Sequence, residues 1–341
     1  MRNIRFAGTS RLLRLSFQAQ LTFPVQSEQN SAIRWPRQRL SPLDAAVPKP
    51  EYAKVMKRII VATDFSERSD RALRRATLLA RRSGADILLA HFVDDDQPAN
   101  VIESARKSAT DLLREQAATV SSIDGVACRS LVLVAAPSAG ILDATQSYAS
   151  DLIVLGRNRR QPLRESFVGT TAERIIRAAP CPVLVAKAPP VGPYRRILLA
   201  ADLSDGCRMA LESFAAIEIA GGAKVSALHV YDAPATALAI SRMMPPEVMQ
   251  RHLDQEREAA ERTLQAFTDG LNVPIDERIV RQEGTNPAGS ILEVAEKIGA
   301  GLIVAGTRGR SGLGKLLLGS VVAEILREAE VDVLVAPPRR P

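Results

Sequence analysis

The sequence predicts an α/β protein with two similar domains, each built on a five-stranded parallel sheet with helices on both faces. Short apolar runs rich in β-branched residues alternate with longer amphipathic runs, which is typical of strand–helix–strand units. The same order of segments occurs twice along the 341 residues, and a chain of this length is expected to form about two domains. We therefore expect one doubly wound sheet in each half.

The internal repeat can be followed segment by segment. The stretch RIIVATDFSERSDRAL, which starts at Arg58, lies 138 residues before RILLAADLSDGCRMAL, which starts at Arg196. Further along, DLIVLGRNR from Asp151 lies 150 residues before GLIVAGTRG from Gly301. The offset grows because the second half has a longer segment after its second strand.

The repeat also delimits the domains. We place the first domain at 56–188 and the second at 194–338, joined by a Pro-rich linker at 189–193 that has no helical or strand period. Residues 1–55 contain Arg and Ser, few acidic residues and several prolines. We interpret them as a disordered tail or a mis-assigned translation start, with Met56 as the true start; an organelle targeting peptide is the other interpretation.

The elements of the second half follow from its apolar runs. We expect strands near 195–201, 224–231, 275–281, 300–306 and 331–336, and helices near 205–220, 246–269, 287–298 and 320–329. Asn286 followed by Pro287 is a good helix start, because Asn caps the first turn and Pro suits the first helical position. Runs such as LIVAG are apolar throughout, as strands covered on both faces should be. Ligands of such sheets bind at the carboxyl ends of the strands, where the strand order reverses.

The distribution of charge argues against a nucleic-acid partner. The net charge is +7, but residues 1–55 hold nine Lys or Arg and three Asp or Glu, so the remaining residues are nearly neutral. A phosphate backbone would need a basic surface on the folded domains. The apolar runs are also far shorter than the ~20 residues of a membrane span. We expect neither a nucleic acid nor a membrane as partner.

The few cysteines and histidines argue against metal chemistry. Cys128, Cys181 and Cys207 show no C-x-x-C spacing, and the three histidines are scattered. Such usage favours a reducing compartment and excludes a disulfide framework. We therefore expect a cytoplasmic protein without a metal site.

The candidate functional motif is GTRGRSGLGKLLLGS, which starts at Gly306. A Walker A pattern nearly fits at Gly309–Lys315, but the next residue is Leu316, which lacks the hydroxyl that binds Mg²⁺. A dinucleotide fingerprint should open the first strand–helix turn, and none is present there. A third arrangement fits: two glycines spaced by two residues, then nine residues, then Gly319-Ser320.

This spacing resembles the universal stress protein family. ATDFS and AADLS after the first strand of each half, LHVYD on a second strand and APCPVLVA at the end of the first half add to the resemblance, which covers about 56–337. It implies two Rossmann-like domains of the adenine nucleotide alpha hydrolase-like kind. It also implies that the last strands of the two halves pair, giving a pseudo-dimer within the chain that could still form a homodimer.

The resemblance also implies the residues that would bind ATP, or another adenine nucleotide, with or without Mg²⁺. Asp202 would accept hydrogen bonds from the ribose, and Val230 would contact adenine through its backbone. The residues of the glycine motif implied in ribose and phosphate binding are Ala305, Gly306, Arg308, Gly309, Gly319, Ser320 and Val321. The alternatives are a helix N-cap role for Asp202 and ordinary turns at the glycines. Physically, glycines let backbone N–H groups approach a phosphate, and a helix start attracts an anion.

The first half departs from this pattern. Its matching residues are Asp64, Gly156, Arg159, Gly169 and Thr170, so an arginine replaces the second glycine. If that position needs a positive φ or close backbone approach, arginine is strained there and crowds the phosphates. We predict a degenerate first site, with clamping of an anion by the arginines of GRNRRQPLR as the alternative.

The sequence thus predicts a nucleotide-responsive stress protein that does not turn over substrate. No general base, positioned nucleophile or dedicated Mg²⁺ carboxylate pair stands out beside the loop, although weak ATP hydrolysis is compatible with the motif. Two alternatives stay open. One is an ATP hydrolase or adenylating enzyme, and the other is a structural interaction module that binds no nucleotide.

Overall fold

The computed structural model describes residues 56–157, 171–232, 245–283, 286–307 and 318–337. The first half contains β1 (Arg58–Ala62), α1 (Glu67–Ser83), β2 (Asp86–Val93), α2 (Ala99–Asp124), β3 (Cys128–Val134), α3 (Pro137–Ser147), β4 (Leu152–Gly156), α4 (Thr171–Ala178) and β5 (Val183–Ala186). The second half contains β6 (Arg196–Ala200), α5 (Asp205–Ala216), β7 (Lys224–Tyr231), α6 (Pro246–Asp269), β8 (Glu277–Gln282), α7 (Pro287–Ile298), β9 (Leu302–Gly306), α8 (Ser320–Glu328) and β10 (Asp332–Ala336). The alternation of strands and helices predicted from the sequence is confirmed.

Helix boundaries follow local side-chain chemistry. Ser66 and Ser204 accept a hydrogen bond from the third amide of α1 and α5, and so define where these helices begin. The expected start of α7 is confirmed, because the side chain of Asn286 accepts from the Gly289 amide at 2.6 Å. Gly299 then ends α7 with a φ of 65°, a left-handed conformation that glycine adopts without steric cost. The largest boundary difference is at α5, which ends at Ala216 rather than near residue 220.

The strands form one continuous sheet in the order β3-β2-β1-β4-β5-β10-β9-β6-β7-β8. Within each half the described pairs are parallel, as expected for crossover connections. The halves meet where β5 and β10 pair antiparallel, with Leu184 opposite Leu334. The predicted pairing of the two last strands within one chain is therefore confirmed. It also means that the carboxyl ends of the strands lie on opposite edges of the sheet in the two halves.

Two apolar layers cover the two faces of the sheet. Alternate residues of β1 point to opposite sides, so Ile59 and Val61 pack in one layer and Ile60 in the other. Helices α1, α2, α5 and α6 contribute to the first layer, and α3, α4, α7 and α8 to the second. This is the three-layer doubly wound architecture that the sequence predicts.

A buried polar cluster lies where the halves join. Asp332 is completely buried, and its carboxylate accepts hydrogen bonds from the amides of Lys187 at 2.8 Å and Ala188 at 3.0 Å and from the Tyr194 hydroxyl at 2.7 Å. Arg75 Nε lies 2.8 Å from the same carboxylate. Its N–H is not directed at the oxygen, so this contact is an ion pair rather than a hydrogen bond. The charged carboxylate is thus compensated by both halves and by the segment that connects them.

No helix in the described part of the chain is both long and apolar enough to cross a membrane.

Candidate functional site

The candidate site lies at the carboxyl edge of the second half. There β6 pairs with β7 on one side and β9 on the other, so the strand order reverses beside β6. Leu199 is in register with Val304 of β9, and Ala200 with Leu228 of β7. The residues that follow these strands therefore converge at one crevice, which is where doubly wound sheets bind ligands.

Asp202 lies in the turn that connects β6 to α5. Its Oδ1 accepts hydrogen bonds from the Ser204 amide at 2.9 Å and the Ser204 hydroxyl at 2.7 Å. Ser204 in turn caps α5 by accepting from the Cys207 amide at 3.1 Å. The N-cap role considered for Asp202 is therefore wrong, since Ser204 is the cap. Asp202 instead orients the capping serine while its carboxylate stays at the strand edge.

The two ends of the glycine motif meet beside β9. Ala305 and Gly306 complete this strand and pair with Val335 and Ala336 of β10. The Gly319 amide then donates to the carbonyl of Thr307, immediately after the strand, at 3.2 Å. The start of α8 is thus held against the carboxyl end of β9. Gly319 therefore lies beside Thr307, the residue after Gly306, while Gly309, where the nine-residue gap begins, lies outside the described residues.

The N-terminus of α8 has no side-chain cap among the described residues, as is also the case for α2, α3 and α6, whereas α1, α5 and α7 are capped. Gly319 takes the N-cap position, and Ser320 and Val321 are the first helical residues. The first turn contains no acidic residue. Amides at the beginning of a helix carry partial positive charge, and with no internal partner they favour an anion.

Of the other predicted site residues, some lie outside the described part of the chain. Val230 is half-buried near the end of β7, opposite Arg281 of β8. Arg308 and Gly309 lie outside the described residues, as do Arg159, Gly169 and Thr170 of the first half. Their predicted roles stay predictions.

The matching turn of the first half contains an additional charge. Asp64 Oδ1 accepts from the Ser66 amide at 3.1 Å and from the Ser66 hydroxyl, as in the second half. Its other oxygen, however, lies 3.8 Å from the guanidinium of Arg68. The second half has Gly206 at the position of Arg68, and among the described atoms a Cβ there would approach Ser204 Oγ, at 3.7 Å. The first turn therefore has an arginine beside its carboxylate, and the second has no side chain at the matching position.

The carboxyl group of Asp64 titrates accordingly. Burial raises its pKa. The hydrogen bonds from the Ser66 side chain and amide, together with the charge of Arg68, lower the pKa by more than burial raises it, so the pKa lies below its usual value. The charged form is thus stabilised by internal partners. The prediction of a degenerate first site rested on Arg159. Arg68 was not recognised, although alignment of the two halves places it opposite Gly206.

A histidine supports each of the two turns. The Nδ1 atoms of His91 and His229 lie 2.9 Å from the carbonyl oxygens of Thr63 and Ala201. A carbonyl only accepts, so Nδ1 donates the proton in both rings. These contacts tie the second strand of each half to the turn after its first strand.

Each turn includes a bulky residue with a positive φ, which sequence reasoning also missed. Phe65 has a φ of 59° and Leu203 a φ of 64°. Such a conformation costs free energy in a residue with a Cβ and persists only where the surroundings impose it. Their matching positions in the two halves show that the turn geometry belongs to the fold.

The Cys207 thiol beside this turn is not an activated nucleophile. Burial, with a smaller contribution from the negative charge of Asp202, raises the pKa of Cys207 to about 12. The thiol therefore stays protonated at neutral pH. Among the described residues, no group of three or more His, Cys, Asp or Glu is placed to hold a metal ion.

The fold and this site define a two-domain, doubly wound α/β protein with a candidate anion site at the strand-order reversal of its second half. Residues 56–187 and 193–337 each match the Universal stress protein family. The chain therefore belongs to the universal stress protein family, in a form with two such domains in tandem, and the resemblance noted in the sequence is confirmed.

Individual relatives match one or both domains. A universal stress protein of Mycolicibacterium smegmatis is 25% identical over 305 residues, which cover 82% of this chain and 97% of the relative. Universal stress protein A homolog 1 of Coxiella burnetii is 33% identical over 142 residues, which cover 41% of this chain and 94% of that relative. The crystal structure of a universal stress protein from Archaeoglobus fulgidus, 20% identical, covers 83% of this chain and 98% of its own with a TM-score of 0.59. At that identity the similarity of structure concerns the fold alone.

Proposed function

We propose that the second domain binds ATP or another adenine nucleotide, with or without Mg²⁺, and that the chain acts as a nucleotide-responsive stress protein of the cytoplasm. The observation that carries this proposal is the contact between Gly319 and Thr307, which holds the uncapped start of α8 against the end of β9. The amides of the first turn of α8 then lie beside a strand-order reversal, a position that suits a phosphate. Cys128 and Cys207 form no disulfide bond within the described part of the chain, which is consistent with a reducing compartment.

The remaining contacts of the nucleotide are assigned by the position of each residue. Asp202 and Val230 follow the neighbouring strands β6 and β7, so they suit the ribose and the adenine, respectively. Ala305, Gly306, Arg308 and Gly309 would contact ribose or phosphate. Gly319, Ser320 and Val321 would bind the phosphate tail through α8.

The first domain serves as a partner without a nucleotide in this proposal. The Arg68 guanidinium lies beside the carboxylate that would otherwise receive the ribose hydroxyls. Its counterpart in the second half is Gly206, so no side chain from this position approaches Asp202.

Binding without steady turnover is the form of activity we propose. The Cys207 thiol beside Asp202 stays protonated because burial raises its pKa to about 12. Hydrolysis would require a group that activates water, and Asp202 is engaged in orienting Ser204. Phosphate release should therefore stay at the level of buffer when ATP is incubated with the chain.

Isothermal titration of ATP into the full chain tests the proposal. Gly309→Val and Gly319→Val add side chains where the phosphates would lie. Gly169→Val is the matched control, because this residue is the counterpart of Gly319 in the first half. We expect one site per chain, lost in the first two variants and kept in the control.

Each other result has a definite meaning. Two sites per chain would show that the first domain also binds nucleotide, despite Arg68 and Arg159. No heat with ATP or AMP, and no nucleotide released on denaturation, would make the protein an interaction module. Steady release of phosphate that disappears in Gly309→Val would identify an enzyme.

A further inference from the structure

Helix α8 connects the candidate nucleotide site to the first domain. Its N-terminus at Gly319 lies beside the end of β9, and its C-terminus precedes β10. Because β10 is antiparallel to β5, the beginning of β10 lies next to the end of β5. The nine-residue helix therefore runs from the site in the second domain to the end of the last strand of the first.

The first domain places a lysine on the C-terminal end of this helix. Lys187 directly follows β5 and is only 3% exposed. Its ammonium donates to the carbonyl of Leu326 at 3.0 Å and to the carbonyl of Ala329. Carbonyls at a helix end lack internal partners and carry partial negative charge, so a buried ammonium satisfies and stabilises them.

A second contact holds the segment that follows the helix. The guanidinium of Arg157, directly after β4, forms a bidentate ion pair with Glu330, with N–O distances of 2.9 and 3.0 Å. Asp332, two residues further, accepts from the Lys187 amide. Residues of the first domain thus hold the connection from α8 to β10 at Ala329, Glu330 and Asp332.

The described residues at the matching positions of the second domain do not form equivalent contacts with α4. By the internal repeat, the counterpart of Lys187 is Pro337, that of Arg157 is Thr307, and that of Glu330 is Pro180. None of the three can supply the corresponding charge. The helix so held, α8, belongs to the half with Gly206 in its turn, and α4, for which the described residues make no such contact, belongs to the half with Arg68.

We propose that Lys187 of the first domain is a positioning residue for the nucleotide site of the second, acting through α8. This inference rests on the proposed nucleotide binding. A nine-residue helix has little stability of its own, so its contacts determine its position: Val322, Ile325 and Leu326 pack into the second apolar layer, and Lys187 fixes the C-terminal end. The first domain would then contribute to binding at a site that it does not contact.

Titration of ATP and adenosine into the full chain with Lys187→Met tests this role. Methionine retains the bulk of the side chain and removes its charge and donors. We expect the affinity for ATP to fall about tenfold. Adenosine should change less than twofold, because it would contact β6 and β7 rather than α8. Lys187→Gln, which keeps a donor without the charge, should lose less and is the variant to use if the methionine form does not fold.

Leu113→Ala is the control for a general loss of stability. Leu113 is completely buried in α2 of the first domain, away from α8. This variant should lower the melting temperature without lowering ATP affinity. Hydrogen exchange of the α8 amides, measured without ligand, should be faster in Lys187→Met than in Leu113→Ala.

The outcomes separate this inference from the proposed function. ATP affinity within twofold of wild type in Lys187→Met, or an equal loss for adenosine, would overturn the positioning role. A wild-type chain that binds no nucleotide would overturn the proposed function. In that case, faster hydrogen exchange confined to α8 in Lys187→Met would still show that Lys187 holds the helix in place. Unchanged exchange would overturn this structural role of Lys187 too.

Discussion

Replacing Asp332 by Ala should destabilise the whole protein, because this carboxylate is the acceptor at the centre of the junction between the halves. It is completely buried and accepts hydrogen bonds from the Tyr194 hydroxyl and from the amides of Lys187 and Ala188. Arg75, itself only 4% exposed, supplies the compensating charge at 2.8 Å. Without the carboxylate, a buried guanidinium and three donors lose their acceptor.

The size of the effect follows from burial. Removal of one partner from a buried ion pair costs about 3–5 kcal/mol, because the other charge stays in a place where water does not solvate it. Arg75 keeps its hydrogen bond to the carbonyl of Gly192 at 2.7 Å and its position 4.3 Å from the Tyr194 ring, so we take about 4 kcal/mol as the central value. For the two domains together, with an unfolding entropy of about 2.1 cal/mol/K per residue, that corresponds to a fall in melting temperature of roughly 7 °C.

Urea unfolding followed by circular dichroism measures this loss, and a double-mutant cycle with Arg75→Met assigns it. The double variant removes both charges of this ion pair, so it should be more stable than the sum of the single effects predicts, by about 1–3 kcal/mol. Asp111→Ala removes an exposed carboxylate 3.5 Å from Arg114, and should have no measurable effect. A loss below about 1 kcal/mol in Asp332→Ala would refute the assignment of this carboxylate as a compensated buried charge.

Three further predictions concern single side chains. In Gly156→Ala the new Cβ would lie 2.7 Å from the backbone oxygen of Arg68, so the start of α1 must move; we expect a loss of about 2 kcal/mol in urea unfolding, and an unchanged midpoint would contradict this close approach of β4 to α1. Burial, and secondarily the charge of Asp332, raises the pKa of Tyr194 well above its usual value; stability should therefore be intact below about pH 10 and fall above it by up to about 1.4 kcal/mol per pH unit, a slope that Tyr194→Phe should reduce. The Cys207 thiol, with its pKa of about 12, should resist alkylation at pH 8 in the native protein and react after denaturation, and rapid native labelling counted by mass spectrometry would contradict its burial.

Much of the fold could be predicted from the sequence because the signals are local and repeated. Apolar runs covered on both faces, such as LIVAG in β9, mark buried parallel strands. The Asn286-Pro287 pair marks the start of α7, and the structure places the helix start there. The Gly319-Ser320 pair predicts the start of the last helix, and the structure begins α8 at Ser320.

The chemical details of the candidate site depended on residues that are distant in sequence or on backbone angles. The left-handed conformation of Leu203 has no signature in its residue type, since glycine or asparagine would be expected there. The role of Asp202 in orienting Ser204, rather than capping the helix, was likewise not evident from the sequence. Arg68 became informative only when its guanidinium was found beside Asp64.

The sequence by itself determined that this protein has two doubly wound halves with a glycine motif intact in the second, because hydrophobic period and turn residues act within a few positions of one another. Only the tertiary structure decided how the halves depend on each other. The antiparallel pairing of β5 with β10 brings Lys187 to the end of α8 and Arg75 to Asp332. These buried charges and their partners are far apart along the chain. The fold brings them together, and no local pattern in the sequence specifies which residues will pair.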